Sequence, residues 1–314
     1  MRRRGKEGGV KMLKLELEGV YPALITPFTR DDEVDEEGLR RLVEFVVEGG
    51  VAGIVPCGTT GESATLSQEE HERVIDVVVD CSRVPVIAGT GSNNTKEAVE
   101  FSKYAEDAGA DACLLITPYY NKPNVRGLKE HFKRIGDAVE LPLILYNIPS
   151  RTGQNVSAGT MLELAAEVEG IKGVKEASGD LKQVGAILSE VAEQGLDFTV
   201  LAGDDFLTLP IMSLGGKGVI SVAANVVPRE MCEMVDAVLS GAAEKAREIN
   251  VRLFSLFEAM FLETNPIPVK KAAEMLGLVA AGGVRLPLGK LSEGNRAKLR
   301  EVLEGLGKMR GWGR

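Results

Sequence analysis

The 314-residue sequence predicts an α/β protein, a (β/α)8 TIM barrel with a C-terminal helical appendix. Eight short apolar runs recur along the chain at intervals of about 20 to 30 residues, near the length of one strand plus one helix. The runs are apolar throughout, which is typical of parallel strands covered by helices. An open doubly wound sheet is the alternative. That fold favours a glycine-rich loop that binds a dinucleotide. The nearest candidate here is Gly89-Thr-Gly-Ser-Asn-Asn94, which lacks the third glycine of the motif.

The predicted strands follow one another in order, and helical patterns fill the gaps between them. Leu39, Leu42, Val43 and Val46 repeat at the spacing of one helix face. Ser67-Gln-Glu-Glu70 is a capping box that opens the next helix. The eight strands are predicted at 20–26, 51–57, 84–89, 112–117, 142–147, 171–175, 198–202 and 218–222.

After residue 241 only helical patterns remain. An apolar stripe of helical spacing begins at Leu253, and Asn265-Pro-Ile-Pro268 starts a further helix. A last helix is predicted at about 293–306. The chain is therefore divided into a flexible N-terminal extension (1–18), a catalytic barrel (19–241) and a helical domain (242–314).

The composition argues against a nucleic-acid-binding protein and against a membrane protein. The formal net charge is −9, from 37 Lys and Arg against 46 Asp and Glu, which disfavours binding to nucleic acid or an anionic membrane. No apolar run reaches the roughly 18 residues of a membrane span. The basic N-terminus is followed by no apolar signal core, so we expect a cytoplasmic protein.

The few histidines and the spacing of the cysteines argue against a metal site and against a histidine-dependent catalytic triad. The four cysteines show no metal-ligand spacing, and the two histidines, His71 and His131, lie in amphipathic helical patterns. A Ser-His-Asp triad or a zinc-dependent aldolase is therefore disfavoured, and no metal is expected. Proton transfer would fall to Lys, Tyr, Asp or Glu side chains.

Lys175 is the strongest candidate for chemistry, because it closes the apolar run that begins at Ile171. Function in a TIM barrel lies at the C-terminal ends of the strands. Burial of a lysine there lowers its pKa and yields a neutral amine, which forms a Schiff base with a ketone. A lysine exposed at the barrel rim is the alternative.

Two other predicted strands end in or are followed by polar groups suited to proton transfer and to carboxylate binding. Tyr146 supplies a hydroxyl for proton transfer. Thr59 and Thr60 follow a glycine on a tight turn whose N–H groups and hydroxyls suit a carboxylate, although an ordinary βα connection has the same pattern. Arg151 lies in a predicted loop, where its guanidinium is suited to bind a second carboxylate. The alternative is an arginine that is solvated and has no binding role.

These motifs resemble one known family. The segments are Gly58-Thr-Thr-Gly-Glu-Ser63, Tyr146-Asn-Ile-Pro-Ser-Arg-Thr-Gly153 and Gly173-Val-Lys-Glu-Ala-Ser178. All three are similar to signatures of the dihydrodipicolinate synthase/N-acetylneuraminate lyase family. The resemblance runs from about Gly19 to the C-terminal helices and implies a Schiff-base enzyme of TIM-barrel fold that uses no cofactor.

The resemblance also implies roles for individual residues. Lys175 would form the Schiff base with pyruvate, and Arg151 would grip the carboxylate of aspartate semialdehyde, a substrate in the diaminopimelate route to lysine. Sialic-acid lyases and keto-deoxy-sugar aldolases typically lack that arginine. The implied proton relay is Tyr146, Thr59 and Tyr120, the last from a neighbouring subunit. Thr60 would bind the pyruvate carboxylate, and the backbone of Gly203 and Ile220 would line the pocket.

Regulation and assembly are further implications of the resemblance. Regulated family members bind lysine between subunits, and most members form homotetramers built as dimers of dimers. Gln68 lies where the regulated bacterial enzymes often have histidine, so lysine inhibition is a hypothesis. The matching positions here are Ser63, Ala64, Gln68, His71, Asn93, Glu97 and Tyr119.

Two alternative functions stay open. A pyruvate-releasing aldolase that acts on a keto-deoxy sugar acid has the same fold, and Arg151 argues against it. A non-catalytic ligand-binding barrel is disfavoured by the presence of both Lys175 and Tyr146.

Overall fold

The computed structural model describes residues 15–308, so most of the predicted N-terminal extension lies outside the described residues. The chain divides into two compact units. Among the described residues, one unit comprises Val20–Val84 and residues 221–308, and the other comprises residues 15–19 and Pro85–Ile220.

Seven parallel strands form one sheet in the order β1-β7-β6-β5-β4-β3-β2. Each strand from β2 to β6 pairs with the next strand in the chain, as in a (β/α)8 barrel. The strands are β1 (Gly19–Pro22), β2 (Ile87–Gly89), β3 (Ala112–Ile116), β4 (Leu143–Asn147), β5 (Ile171–Glu176), β6 (Thr199–Ala202) and β7 (Gly218–Ser221).

The predicted strand at 51–57 differs from the others. It is present as an isolated parallel bridge, Ala23 to Val55, and not as a continuous strand. The Val55 N–H donates to the Pro22 carbonyl, and the Leu24 N–H donates to the Val55 carbonyl, both at 2.9 Å. The segment then leaves extended geometry because Cys57 adopts a left-handed backbone with φ of 55°.

Twelve α-helices occupy the described residues, and six of them begin at a residue whose side chain caps the helix N-terminus. Ser67 and Glu70 form the predicted capping box. The helices are α1 (Glu36–Glu48), α2 (Gln68–Cys81), α3 (Thr95–Ala108), α4 (Val125–Gly136), α5 (Pro149–Thr152), α6 (Ala158–Glu167), α7 (Leu181–Gln194), α8 (Thr208–Ser213), α9 (Pro228–Leu239), α10 (Ala243–Ala259), α11 (Ile267–Met275) and α12 (Glu293–Gly305).

A buried ion pair joins α11 to the loop that follows residue 57. Lys270 Nζ lies 2.5 Å from Glu62 Oε1, and both side chains are almost completely buried. The ammonium also stands 3.8 Å from the centroid of the Phe28 ring. Burial lowers the pKa of Lys270 to about 8, although the Glu62 carboxylate opposes that shift.

Breaking this ion pair should destabilise the fold strongly. We predict that Lys270→Met lowers the free energy of unfolding by about 3–5 kcal/mol, because the Glu62 carboxylate stays buried without its partner. Urea denaturation at neutral pH measures the loss. The matched control is Lys96→Met, since Lys96 pairs with Glu100 at the exposed surface and should cost less than about 1 kcal/mol. Equal losses in the two variants would contradict the prediction.

Candidate active site

Lys175 lies inside the sheet, with only 5% of its surface exposed. The parallel pairing of β4 with β5 sets Lys175 beside Tyr146, and the pairing of β5 with β6 sets it beside Leu201. Its ammonium nitrogen stands 4.2 Å from the centroid of the Tyr146 ring. The strand end thus holds an amine next to a phenol, as the sequence predicts.

Burial is the main cause of a large shift at this amine. It lowers the pKa of Lys175 to about 7 from an ordinary value of 10.5. The carboxylates of Asp205 and Asp204 oppose the shift, and the Arg151 guanidinium adds to it. A substantial fraction of Lys175 is therefore neutral at physiological pH, which is the nucleophilic form of an amine.

The loop after β6 brings two carboxylates toward Lys175. Asp205 is buried, and Asp204 accepts a hydrogen bond from the Phe206 N–H at 3.0 Å. Burial raises the pKa of Asp204. No role was predicted for Asp204 or Asp205, although the Gly-Asp-Asp motif directly after a predicted strand is a usable signal.

Gly203, predicted to line the pocket, lies against the lysine side chain. A Cβ at this position would stand 3.1 Å from Lys175 Cγ and 2.6 Å from Ala177 Cβ. Its N–H donates to the Glu176 carbonyl at 2.8 Å. A side chain at residue 203 would therefore displace the lysine. Ile220, also predicted for the pocket, is buried on β7.

A buried polar network joins β4 and β5 one residue beyond the amine and the phenol. Asn147 and Glu176 are register partners, and Asn147 Nδ2 donates to both carboxylate oxygens at 3.2 and 3.0 Å. Gln183 Nε2 and the Ser178 N–H donate to the same carboxylate at 3.1 and 2.7 Å. These bonds tie together the two strands that carry Tyr146 and Lys175.

Tyr146 and Arg151 are positioned by local structure. The Tyr146 carbonyl accepts hydrogen bonds from Thr117 N and Oγ1 at 3.0 and 3.1 Å. Arg151 lies in the four-residue α5, exposed, and is close enough to influence the Lys175 pKa. Lys122 is a second cation at this loop, since its side chain passes over Gly153. No role was predicted for Lys122.

Thr59 and Thr60 lie in the unit that contains Val20–Val84. Their tight turn is closed by bonds of 3.1 Å from the Gly61 N–H to the Gly58 carbonyl and from the Glu62 N–H to the Thr59 carbonyl. Glu62 adopts a left-handed backbone with φ of 55°. Such conformations in residues other than glycine concentrate at functional sites. Thr60 is buried, and its hydroxyl accepts a hydrogen bond from Asn265 Nδ2 at 2.9 Å.

Tyr120 is the most exposed large apolar residue among those described, at 90%. Its backbone is left-handed, with φ of 70°, and Lys122 shares this conformation. Within this single chain the phenol is therefore presented to the exterior, on a loop that holds an uncommon backbone shape.

The residues matched to a lysine effector site are distributed over both units. Ser63, Ala64, Gln68 and His71 belong to the first unit, where Gln68 Nε2 donates to Glu72 at 2.9 Å. Asn93, Glu97 and Tyr119 belong to the second, where Asn93 Nδ2 donates to the Tyr119 carbonyl at 3.2 Å. Asn93 and Tyr119 are thus in direct contact.

Residues 15–308 contain no cluster of three or more His, Cys, Asp and Glu side chains placed to hold a metal ion. None of the helices in that range is long and apolar enough to cross a membrane.

The charge state of Lys175 should be measurable directly. We predict that its rate of reductive methylation rises with pH through about 7 and then levels off, because the neutral amine reacts. Arg151→Met removes a cation and should move the midpoint upward, whereas Asp205→Asn removes an anion and should move it downward. Peptide-resolved mass spectrometry gives each rate, with exposed lysines near pH 10 as the internal reference. A Lys175 rate that rises in parallel with the exposed lysines would refute the assignment.

Comparison with known proteins agrees with this geometry. A protein of Methanosarcina mazei named 4-hydroxy-tetrahydrodipicolinate synthase is 61% identical over 292 residues, which are 93% of this chain and 99% of that protein. A protein of Methanothrix thermoacetophila with the same name is 56% identical, over 93% of this chain and 98% of that protein.

Solved structures show the same fold. A crystal structure of dihydrodipicolinate synthase from Aquifex aeolicus superposes with a TM-score of 0.89 at 51% identity, covering 92% of this chain and 98% of that one. The corresponding protein of Thermotoga maritima gives 0.90 at 40% identity, covering 93% and 99%. The predicted TIM barrel is thereby confirmed. A model of the dihydrodipicolinate synthetase family matches residues 16–306, and the chain belongs to that family.

Proposed function

We propose that this protein is a lyase that condenses pyruvate with L-aspartate 4-semialdehyde to form 4-hydroxy-tetrahydrodipicolinate in lysine biosynthesis. The observation that carries the proposal is the buried Lys175 amine, with a pKa of about 7, beside the Tyr146 ring. Membership of the dihydrodipicolinate synthetase family and relatives at 51–61% identity support it.

The reaction begins at the amine. The neutral Lys175 nitrogen attacks the ketone carbon of pyruvate and forms a carbinolamine, which expels water to leave an iminium ion. The positive nitrogen withdraws electrons from the neighbouring carbon, so the pyruvate methyl group loses a proton and an enamine forms. The covalent lysine intermediate performs the activation, so the proposed reaction uses no metal or organic cofactor.

The enamine then attacks the aldehyde carbon of the semialdehyde, forming the new carbon–carbon bond and regenerating the iminium. The amine of the substrate attacks the iminium carbon, closes the ring and expels Lys175 as a free amine. Each step moves protons, and we assign these transfers to the hydroxyls of Tyr146, Thr59 and Tyr120.

Carboxylate recognition is assigned to separate groups. Thr60, with Thr59, binds the pyruvate carboxylate, and Arg151 binds the carboxylate of the semialdehyde. The acidic chain, with a formal charge of −9, repels the carboxylate groups of both substrates on average. A few placed donors and cations must therefore supply their binding. The backbone of Gly203 and Ile220 shapes the pocket.

We propose that the protein assembles as a homotetramer in the cytoplasm and that Tyr120 completes the site of a neighbouring subunit. The 90% exposure of Tyr120 in the single chain supports its placement against another subunit. Assembly varies among similar structures, since one of them, 40% identical, is described as a monomeric dihydrodipicolinate synthase variant. Another, also 40% identical, is described with lysine bound, and lysine is the regulatory ligand we propose here.

The decisive experiment is a condensation assay with purified protein, pyruvate and aspartate semialdehyde, coupled to reduction of the cyclised product. We predict rapid turnover that falls by at least about 10³-fold in Lys175→Ala, because the nucleophile is lost. Arg151→Met should raise the KM for the semialdehyde more than the KM for pyruvate. Lys122→Met is the matched control at the same loop.

Folded protein that gives no turnover with these substrates would contradict the proposed reaction. Cleavage of a keto-deoxy sugar acid by the same preparation would then establish the aldolase alternative.

Complementation between inactive subunits tests the shared site. We predict that Tyr120→Phe and Lys175→Ala chains, each nearly inactive alone, regain activity when expressed together. In a mixed pair, one site receives both Lys175 and the partner's intact tyrosine. The assay is run on complexes separated by affinity tags, with light scattering to verify assembly. A mixture that is no more active than its parents would mean that Tyr120 serves its own subunit or none.

A further inference from the structure

Asn265 makes a buried hydrogen bond to Thr60, a residue 205 positions earlier in the chain. Asn265 is 5% exposed and Thr60 is 2% exposed, so the bond is shielded from water. Both residues belong to the same compact unit. The contact joins the segment between α10 and α11, in the helical appendix, to the Gly58-Thr-Thr-Gly-Glu loop.

The direction of this hydrogen bond determines whether the Thr60 hydroxyl can donate to another group. Asn265 Nδ2 is a donor, so Thr60 Oγ1 accepts. A hydroxyl has one proton to donate, and an acceptor role on its oxygen leaves that proton for a separate partner. A bond received by the oxygen also polarises the O–H group and strengthens its donation. The hydroxyl of Thr60 is thus prepared to donate to an anion.

Neighbouring contacts hold the two residues in place. Two residues after Thr60, Glu62 pairs with Lys270 at 2.5 Å. Lys270 lies five residues beyond Asn265, in α11. The other Glu62 oxygen accepts a bond from the Arg285 N–H at 3.0 Å. The loop and the appendix are therefore joined at two adjacent points, by an ion pair and by the amide–hydroxyl bond.

We propose that Asn265 is a positioning residue for carboxylate binding, which orients the Thr60 hydroxyl as a donor to the carboxylate of the 2-oxo acid. The proposal rests on the proposed function, in which Thr60 binds pyruvate. It gives the helical appendix a part in substrate recognition, although none of its residues was predicted to have one.

The sharpest variant is Asn265→Asp, which replaces the donor by an acceptor of nearly equal size. The introduced carboxylate accepts a hydrogen bond from the Thr60 hydroxyl, so the hydroxyl presents only its lone pairs to the substrate. We expect the KM for pyruvate to rise at least about tenfold, with kcat changed less than about threefold, because a bond to a charged group is lost. Asn295→Asp is the matched control, because Asn295 lies in α12 and donates instead to Glu263 and Leu262.

The pH dependence of the pyruvate KM of Asn265→Asp distinguishes a lost hydrogen bond from a general structural defect. When the introduced carboxylate is protonated, it donates to Thr60 again, so the ratio of variant to wild-type KM should fall toward one at low pH. A double-variant cycle with Thr60→Val completes the test. Asn265→Ala should raise the KM in the parent, but add little in the Thr60→Val background, because Asn265 acts through that hydroxyl.

The outcomes separate the two proposals. If the wild-type chain forms no reducible adduct with pyruvate, the proposed function fails. If it forms the adduct and Asn265→Asp leaves the KM unchanged, or if the effects of Asn265→Ala and Thr60→Val simply add, the positioning role is overturned. Equal thermal melting of Asn265→Asp and Asn295→Asp verifies that folding is not the cause.

Discussion

The exclusion of water from Lys175 is the constraint on which the site depends. An amine in bulk water holds its proton to a pKa near 10.4 and is a poor nucleophile at neutral pH. At the end of β5 the same group is 5% exposed, and burial lowers its pKa to about 7. Keeping it there costs folding free energy, since the charged form is desolvated. The surrounding sheet must therefore be stable enough to sustain that cost.

Parallel pairing is what makes this exclusion possible. Tyr146 and Lys175 face each other because β4 and β5 align in register, and Asn147 with Glu176 ties the same strands one residue further along. The carboxylate of Glu176 is held by neutral donors. Burial lowers the pKa of Lys175 most. The Asp205 and Asp204 carboxylates raise it in part, and the Arg151 guanidinium lowers it further.

Two lysines are buried among residues 15–308, and their surroundings give one a structural role and the other a chemical one. Lys270 lies 2.5 Å from Glu62 and joins two segments of the fold. Lys175 faces an aromatic ring on a strand that ends in the candidate site. A direct carboxylate partner favours a stable ion pair, whereas an apolar setting with only nearby charges favours an amine that loses its proton.

The sequence predicted the barrel because apolar periodicity and strand spacing are local properties of the chain. Seven of the eight predicted strands are present as continuous strands. Residues 51–57 instead make isolated backbone hydrogen bonds to β1 through Ala52 and Val55, and the backbone turns at Cys57. The order of the predicted strands also placed Tyr146 and Lys175 at the ends of consecutive strands, and in the structure the two residues are register partners. The contacts of Asn265 with Thr60 and of Lys270 with Glu62 join residues more than 200 positions apart, and neither pattern nor propensity encodes such pairings.

The most direct test of a reactive amine at Lys175 is to trap it. Incubation with pyruvate and sodium borohydride should leave a single reduced adduct, and peptide mapping by mass spectrometry should place it on Lys175. The adduct should be absent from Lys175→Ala and present in Lys96→Met, which changes only an exposed lysine. An adduct on another lysine, or none on folded protein, would contradict the account.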